Sequence, residues 1–279
     1  MQTAQRMVAT GLRVQQPSDD PEVVSALLRA RAGLSSAEQI RYNLGRVQLE
    51  VDSAETALQS AVKLFERVRT LGAQGATSVA SASTRAQLAG QVELALEHMV
   101  GLTRTTVEGR YIFSGDADQS PPYAIDLSQD PPVASYAGSG VSRLVEHPNR
   151  TTFTIAHTAE EIFDAPEPEN NVFAVMIALR DALRANDDAA IEAALGNFTP
   201  AANHLNQQLA YYGAAQSRVA EALEYANRQL LGFRSQIANL EEADMAEAIL
   251  EFQTAKQNQE AALQVRGLMP RTSLFDYLG

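Results

Sequence analysis

The residues from which this chain could build chemistry are few. Its four histidines are His98, His147, His157 and His204. His157 with Glu160 and Glu161 comes nearest to a ligand group, yet no histidine has a second metal-type ligand at i+4 in a zinc-like motif. Asp116 and Asp118 begin like a calcium loop but lack its remaining oxygen ligands and the glycine of its sharp turn, so they read as a polar turn. Asp19 and Asp20 would suit acid–base work by proximity, but with Pro21 and Glu22 behind them they are explained by helix capping. No nucleophile elbow, phosphate loop or dinucleotide fingerprint is present, and Gly138-Ser139-Gly140 follows no helix-opening pattern. Lys63 and Lys256 are the only lysines. The arginines read as scattered ion pairs along rods, not a phosphate-binding stripe. Cysteine is absent, which removes thiolate nucleophiles, disulfides and sulfur-ligated zinc together. No catalytic residue, metal site or cofactor is expected, and an enzyme is the least supported reading.

Composition points the same way. Of 279 residues 45% are hydrophobic but only 6% aromatic, with no tryptophan, a mixture suited to helix-on-helix packing by Ala, Leu and Val. The formal charge of -12 repels polyanions, so nucleic acid is not an expected partner. The first residues lack the apolar core of a secretory signal, and no stretch approaches the roughly 20 apolar residues of a membrane span.

The elements are dominated by heptad seams. From Leu205 to Leu240 the apolar positions Leu205, Leu209, Tyr212, Val219, Leu223, Ala226, Leu230, Phe233, Ile237 and Leu240 advance in steps of three and four, with Gln216 the one polar member of the series. Such a helix is roughly 50 Å long and wants a partner helix. A second seam runs through Leu44, Val47, Val51, Ala54, Leu58, Ala61, Phe65 and Val68 and dissolves at Gly72 and Gly75. Ahead of it, a short helical piece ends at Gly11, and Ser18 or Asp19 can cap a helix whose first turn takes Pro21. Thr84, with Gln87 in the capping-box position, predicts a third helix with the stripe Leu88, Val92, Ala95, Met99 and Leu102, ended by Gly109.

At Arg110 the pattern changes to short alternating segments punctuated by Pro and Gly, a β pattern, with Tyr111 to Phe113 read as a strand. Helical pattern resumes after Pro168, capped by Asn170 or Asn171, and a shorter helix follows from Asp187. Thr199-Pro200 opens the long helix. Glu241 to Asp244 interrupts its seam, and a last segment takes a different stripe through Met245, Ile249, Phe252, Ala255 and Ala262. The expected fold is mainly α with a β-rich insertion: long antiparallel heptad helices form a rod-like discontinuous helical domain. Its parts are a first arm (1–110), a β-rich inserted domain (111–169), a returning arm (170–240) and a C-terminal assembly segment (241–279).

Four stretches, in order, resemble the flagellin superfamily. Ala9 to Val14 followed by Pro17 to Pro21 is similar to the start of its conserved part, and Phe65 to Gly75 to the signature of its first long helix. Gly109 to Gly115 looks like its helix-to-strand exit, and Leu240 to Ala248 like its terminal hinge. They cover both helical arms, whereas the β module carries little recognisable signal. The closing Ser273 to Leu278 and the Asp-Asp-Pro after Ser18 resemble the hook-filament junction members of the superfamily more than bulk filament flagellin. Nine residues precede Thr10, where members of the superfamily carry several more helical turns.

That resemblance implies a structural subunit of the bacterial flagellum, exported by the flagellar type III apparatus to the extracellular flagellum without a cleaved signal. It would assemble at the hook-filament junction with copies of itself, a neighbouring hook-associated protein and flagellin. The terminal apolar residues Leu263, Val265, Leu268, Met269, Leu274, Phe275, Tyr277 and Leu278 have too little partner surface within the chain. They form the expected assembly interface, ordered when neighbouring subunits or an export chaperone cover them. Two alternatives stand beside this: a short filament flagellin, and a helical coiled-coil adaptor with a β binding module.

Overall fold

A computed structural model describes residues 2–141 and 143–268, with side chains as far as Arg266. The helices are α1 (Gln2–Thr10), α2 (Pro21–Gly75), α3 (Ala82–Thr103), α4 (Ala159–Phe163), α5 (Val172–Ala185), α6 (Asp188–Gly196), α7 (Phe198–Glu241) and α8 (Met245–Leu268). The strands β1 (Thr106–Val107) and β2 (Arg110–Tyr111) form one antiparallel hairpin, β3 (Leu144–Glu146) and β4 (Thr152–Thr154) another. The described residues form two compact units, one of those up to Glu38 together with those from Asn227, the other of Gln39–Ala226.

In the larger unit the two heptad seams are the core. Leu44, Val51, Leu58, Phe65 and Val68 of α2 are buried, as are Leu205, Tyr212, Val219 and Ala226 of α7. Each fully buried large aliphatic side chain contributes about 1.5–3 kcal/mol. The two helices run antiparallel: Phe65 stacks on Phe198 with ring centroids 4.6 Å apart, while further toward the α2 N-terminus Asp52 meets Gln216. The stripe predicted for α3 is buried except Leu102, which is half-buried. At the C-terminal end of α2 the glycines permit close helix packing. A β-carbon at Gly72 would fall 2.8 Å from Leu195 and one at Gly75 would clash with Leu183, so α5 and α6 lie where any side chain would hold them off.

Several helix ends differ from the local pattern. The N-cap of α3 is Ser81, whose hydroxyl accepts from Thr84 N, so Thr84 is the third helical residue and not the cap. Asp20, not Ser18 or Asp19, caps α2, its carboxylate accepting from Val23 N at 3.3 Å. α7 begins at Phe198, so Thr199 lies inside its first turn. Asn171 and Asp187 cap α5 and α6 as their positions predict. The third helix stops at Thr103, not at Gly109. Glu108 (φ 51°) and Gly109 (φ 78°) are the central pair of the β1–β2 turn, the left-handed pair that a two-residue hairpin needs.

Between residues 111 and 169 ladder pairing is sparse. β2 ends at Tyr111, and Ile112 and Phe113 are buried outside any strand. Tyr123 to Leu127 forms no strand; a single bridge joins Ile125 to Val133, flanked by bonds from Ala134 N to Ala124 O and Asp126 N to Pro132 O. Side chains do what ladders do not. Phe113, Tyr123, Phe163, Phe173 and Tyr212 meet in edge and stacked contacts within the same core as α2, α3, α5 and α7.

Candidate assembly site

The smaller unit brings together the two stretches flanking its short helices. Gly11, with φ of 72°, ends α1 in a conformation that suits glycine. The residues after it lie antiparallel to the break between α7 and α8. Arg13 N and Val14 N donate to Glu241 O at 2.7 and 3.3 Å, and Ala243 N donates to Gly11 O at 2.9 Å, with Leu12 bridged to Glu242. The carbonyls and amides freed where α7 stops are thereby paired, as a helix break requires.

Side chains fasten this clasp. The Arg13 guanidinium donates to Asp20 at 2.8 Å and to Leu240 O at 3.1 Å. Arg31 reaches Glu241 at 2.6 Å. Asp244 restarts the helix, its carboxylate accepting from Ala246 N and Glu247 N. Asp19 closes the turn before α2 by accepting from Gln16 N at 2.8 Å and Gln15 N at 3.0 Å, and these donors hold its carboxyl below the usual carboxylate range. The aspartate pair singled out from sequence is therefore divided between a turn and a cap, with no acid–base geometry. Sequence patterning marks each half of the clasp, as a glycine stop and as a seam break, but carries no signal that the two halves pair.

α1 packs against α8. The inward positions of α8 are Ala248, Phe252 and Ala255; of the expected stripe Phe252 and Ala255 are thus half-buried, whereas Met245 and Ile249 are each 41% exposed and Ala262 is exposed too. From Lys256 to Arg266 every residue is exposed. Leu263 (60%) and Val265 (59%) stand in this part, with Leu250 (64%) just before it. Of the other expected interface residues, Leu268 closes α8 with its side chain outside the described set, and Met269, Leu274, Phe275, Tyr277 and Leu278 lie outside the described residues.

The histidines take up packing and polar contacts. His157 stacks on Tyr211 at 3.8 Å and its Nδ1 lies 2.6 Å from Gln208 Oε1. His147 sits between Phe153 and Tyr225, and His204 Nε2 donates to Glu161 O. Glu161 is committed to the capping box of α4 with Thr158. Asp118 pairs with Arg110 at 3.5 Å. No group of three metal-ligating side chains occurs among the described residues, and no helix among them is long and apolar enough to cross a membrane.

Residues 1–118 match the family profile of the bacterial flagellin N-terminal helical region, and residues 195–278 that of the bacterial flagellin C-terminal helical region. Comparison with curated proteins gives no match. Among solved structures the chain is similar to a putative flagellar hook-associated protein from Vibrio parahaemolyticus, at 18% identity and a TM-score of 0.70 over 80% of this chain and 100% of that one. It is also similar to the flagellar hook associated protein-3 of Legionella pneumophila, at 14% identity and a TM-score of 0.65 over 76% and 98%. FlgL of Bacillus cereus gives 16% identity and a TM-score of 0.60 over 77% and 100%. At these identities the likeness is one of fold.

Proposed function

Because this chain belongs to the flagellin superfamily, carrying both of its terminal helical regions, we propose that it is a structural subunit of the bacterial flagellum that assembles at the hook-filament junction and connects hook to filament. The observation that carries the reading is the clasp of Gly11–Val14 on Glu241–Ala243, which joins the two profile-matched regions in a fold like those of hook-associated proteins from Vibrio and Legionella. The work of such a subunit is mechanical and not catalytic. Heptad seams satisfied within the chain give stiff helical pairs. The apolar side chains that α1 leaves open on α8 supply area for neighbours.

In this reading Leu263, Val265, Leu268, Met269, Leu274, Phe275, Tyr277 and Leu278 form the assembly interface. Neighbouring copies, an adjoining hook-associated protein and flagellin cover it in the flagellum. An export chaperone covers it before passage through the flagellar type III apparatus. Deleting the gene tests the reading: hooks without filaments, with flagellin lost to the medium, are expected, whereas full filaments on the deletion strain would overturn it. Long filaments formed by the purified chain alone would instead make it a filament flagellin.

A further inference from the structure

The larger unit carries two exposed surfaces of opposite charge that cannot meet within one chain. The first is a groove between α2 and α3, lined by Leu64, Leu71, Leu94 and Ala95 with Arg67 and His98 on its rim, enclosing about 280 Å³. Leu94 is 65% exposed, so apolar area lies open to water along the groove. Lys63 stands one turn before Arg67, and both are exposed with no carboxylate within ion-pair distance among the described residues. In a chain of net charge -12, Lys63 and Arg67 are two cations on the edge of an apolar groove that no ion pair takes up among the described residues, Glu66 beside them being turned to Arg69 at 3.9 Å.

The second surface is the outer face of α6. Ala189, Glu192 and Ala193 are exposed, so the helix presents a slim face with one carboxylate at its middle. Asp187 caps the helix and Asp188, its first residue, pairs with Arg85, while Asp181 in α5 pairs with Arg180, so Glu192 is the acid that this face leaves without an ion pair among the described residues. Arg184, the exposed cation nearest in sequence, is already held by Glu93 at 2.6 Å. The small side chains allow close approach to a leucine-lined groove, and Glu192 carries the charge that Arg67 and Lys63 lack.

The two surfaces lie on different sides of α2. Leu71 lines the groove, while its neighbour Gly72 faces Leu195 on the inner side of α6, and consecutive helical residues point about 100° apart. A surface that is not its own complement makes head-to-tail contacts, which close into rings or extend as helices. We propose that the α2–α3 groove of one copy receives the outer face of α6 from the next, with Glu192 against Arg67 and Lys63, as the lateral contact within a layer of subunits. This contact deepens the junction reading and rests on it.

The absence of cysteine gives a clean test. A chromosomal R67C/E192C double variant is expressed in the parent organism, flagella are sheared off, and a short bis-maleimide is applied before denaturing electrophoresis. A ladder of cross-linked multimers is expected from the double variant and none from either single variant. Chain present in sheared flagella without a ladder would overturn the lateral contact and leave the junction reading intact. Chain absent from flagella, with unaltered chain absent too, would overturn both. As a second readout, R67E and E192R should each lower the amount of chain in flagella by about fivefold per broken contact, and R67E/E192R should restore it. Failure of restoration with both single variants defective would overturn the pairing.

Discussion

Gly33 of α2 faces the ring of Phe233 of α7 so closely that a β-carbon on Gly33 would fall 2.5 Å from the ring edge. The smaller unit thus uses a missing side chain to seat one of the aromatic residues of the long seam.

Replacing Gly33 with alanine pits two effects against each other. Alanine gains about 1 kcal/mol in helix propensity, while forcing the ring aside costs about 1–3 kcal/mol. A net loss of about 1 kcal/mol is expected, with faster amide exchange in α7 beyond Asn227, and G33A/F233L should recover it. Gly101, in α3 with open space around its Cα, is the control: G101A should stabilise by about 0.5–1 kcal/mol in urea unfolding.

Gln216 is the polar member of the α7 seam, and its amide donates to Asp52 at 2.9 Å and to Glu55 at 2.6 Å. Such a polar layer fixes the register of two otherwise uniform seams. Q216L leaves the partly buried Asp52 carboxylate without this donor and Glu55 with Gln59 alone, and should cost about 1–3 kcal/mol. Adding D52A and E55A to Q216L should recover most of that loss in urea titrations, and a triple variant as weak as Q216L would refute the assignment.

Arg85 is 4% exposed and ties three segments: Nε donates to Gly75 O at 2.9 Å, Nη1 to Asn186 Oδ1 at 3.0 Å, and Nη2 pairs with Asp188. Its partners are not equivalent. The Asp188 side chain is 79% exposed, so D188N should change the unfolding free energy by less than about 1 kcal/mol. R85M strips the donor from the buried end at Gly75 and should cost about 1–3 kcal/mol.

Burial raises the phenol of Tyr136 from 10.0 to about 12. It also raises those of Tyr212 and of Tyr123, the latter further by the neighbouring Asp164 carboxylate. A folded-state value above the unfolded one means the stabilisation is complete below about pH 10 and drains away as pH rises through the folded value. The urea midpoint should therefore hold up to about pH 10 and fall toward pH 12. Y136F should fall less steeply over that interval, and an unchanged slope would remove Tyr136 from the account.

Much of this protein was written locally. The seams of α2 and α7, the glycine stop after α1 and the caps Asn171 and Asp187 follow from period, spacing and residue type, because a helix repeats every 3.6 residues and a cap needs only its own next turn. Local chemistry was degenerate at other ends: Ser81 and Thr84 both offer a hydroxyl three residues ahead of a donor, and in the fold Ser81 takes the cap. The alternation between residues 111 and 169 reads as β, but its side chains reached the helical core of the larger unit with few ladders formed. What only the tertiary structure decided are pairings across long separations. Gly11 with Ala243, Gly33 with Phe233, Arg85 with Gly75 and Asn186, and the face that α8 turns toward α1 each depend on where distant segments stop. No local period encodes that distance, so these relationships exist only once the chain has folded.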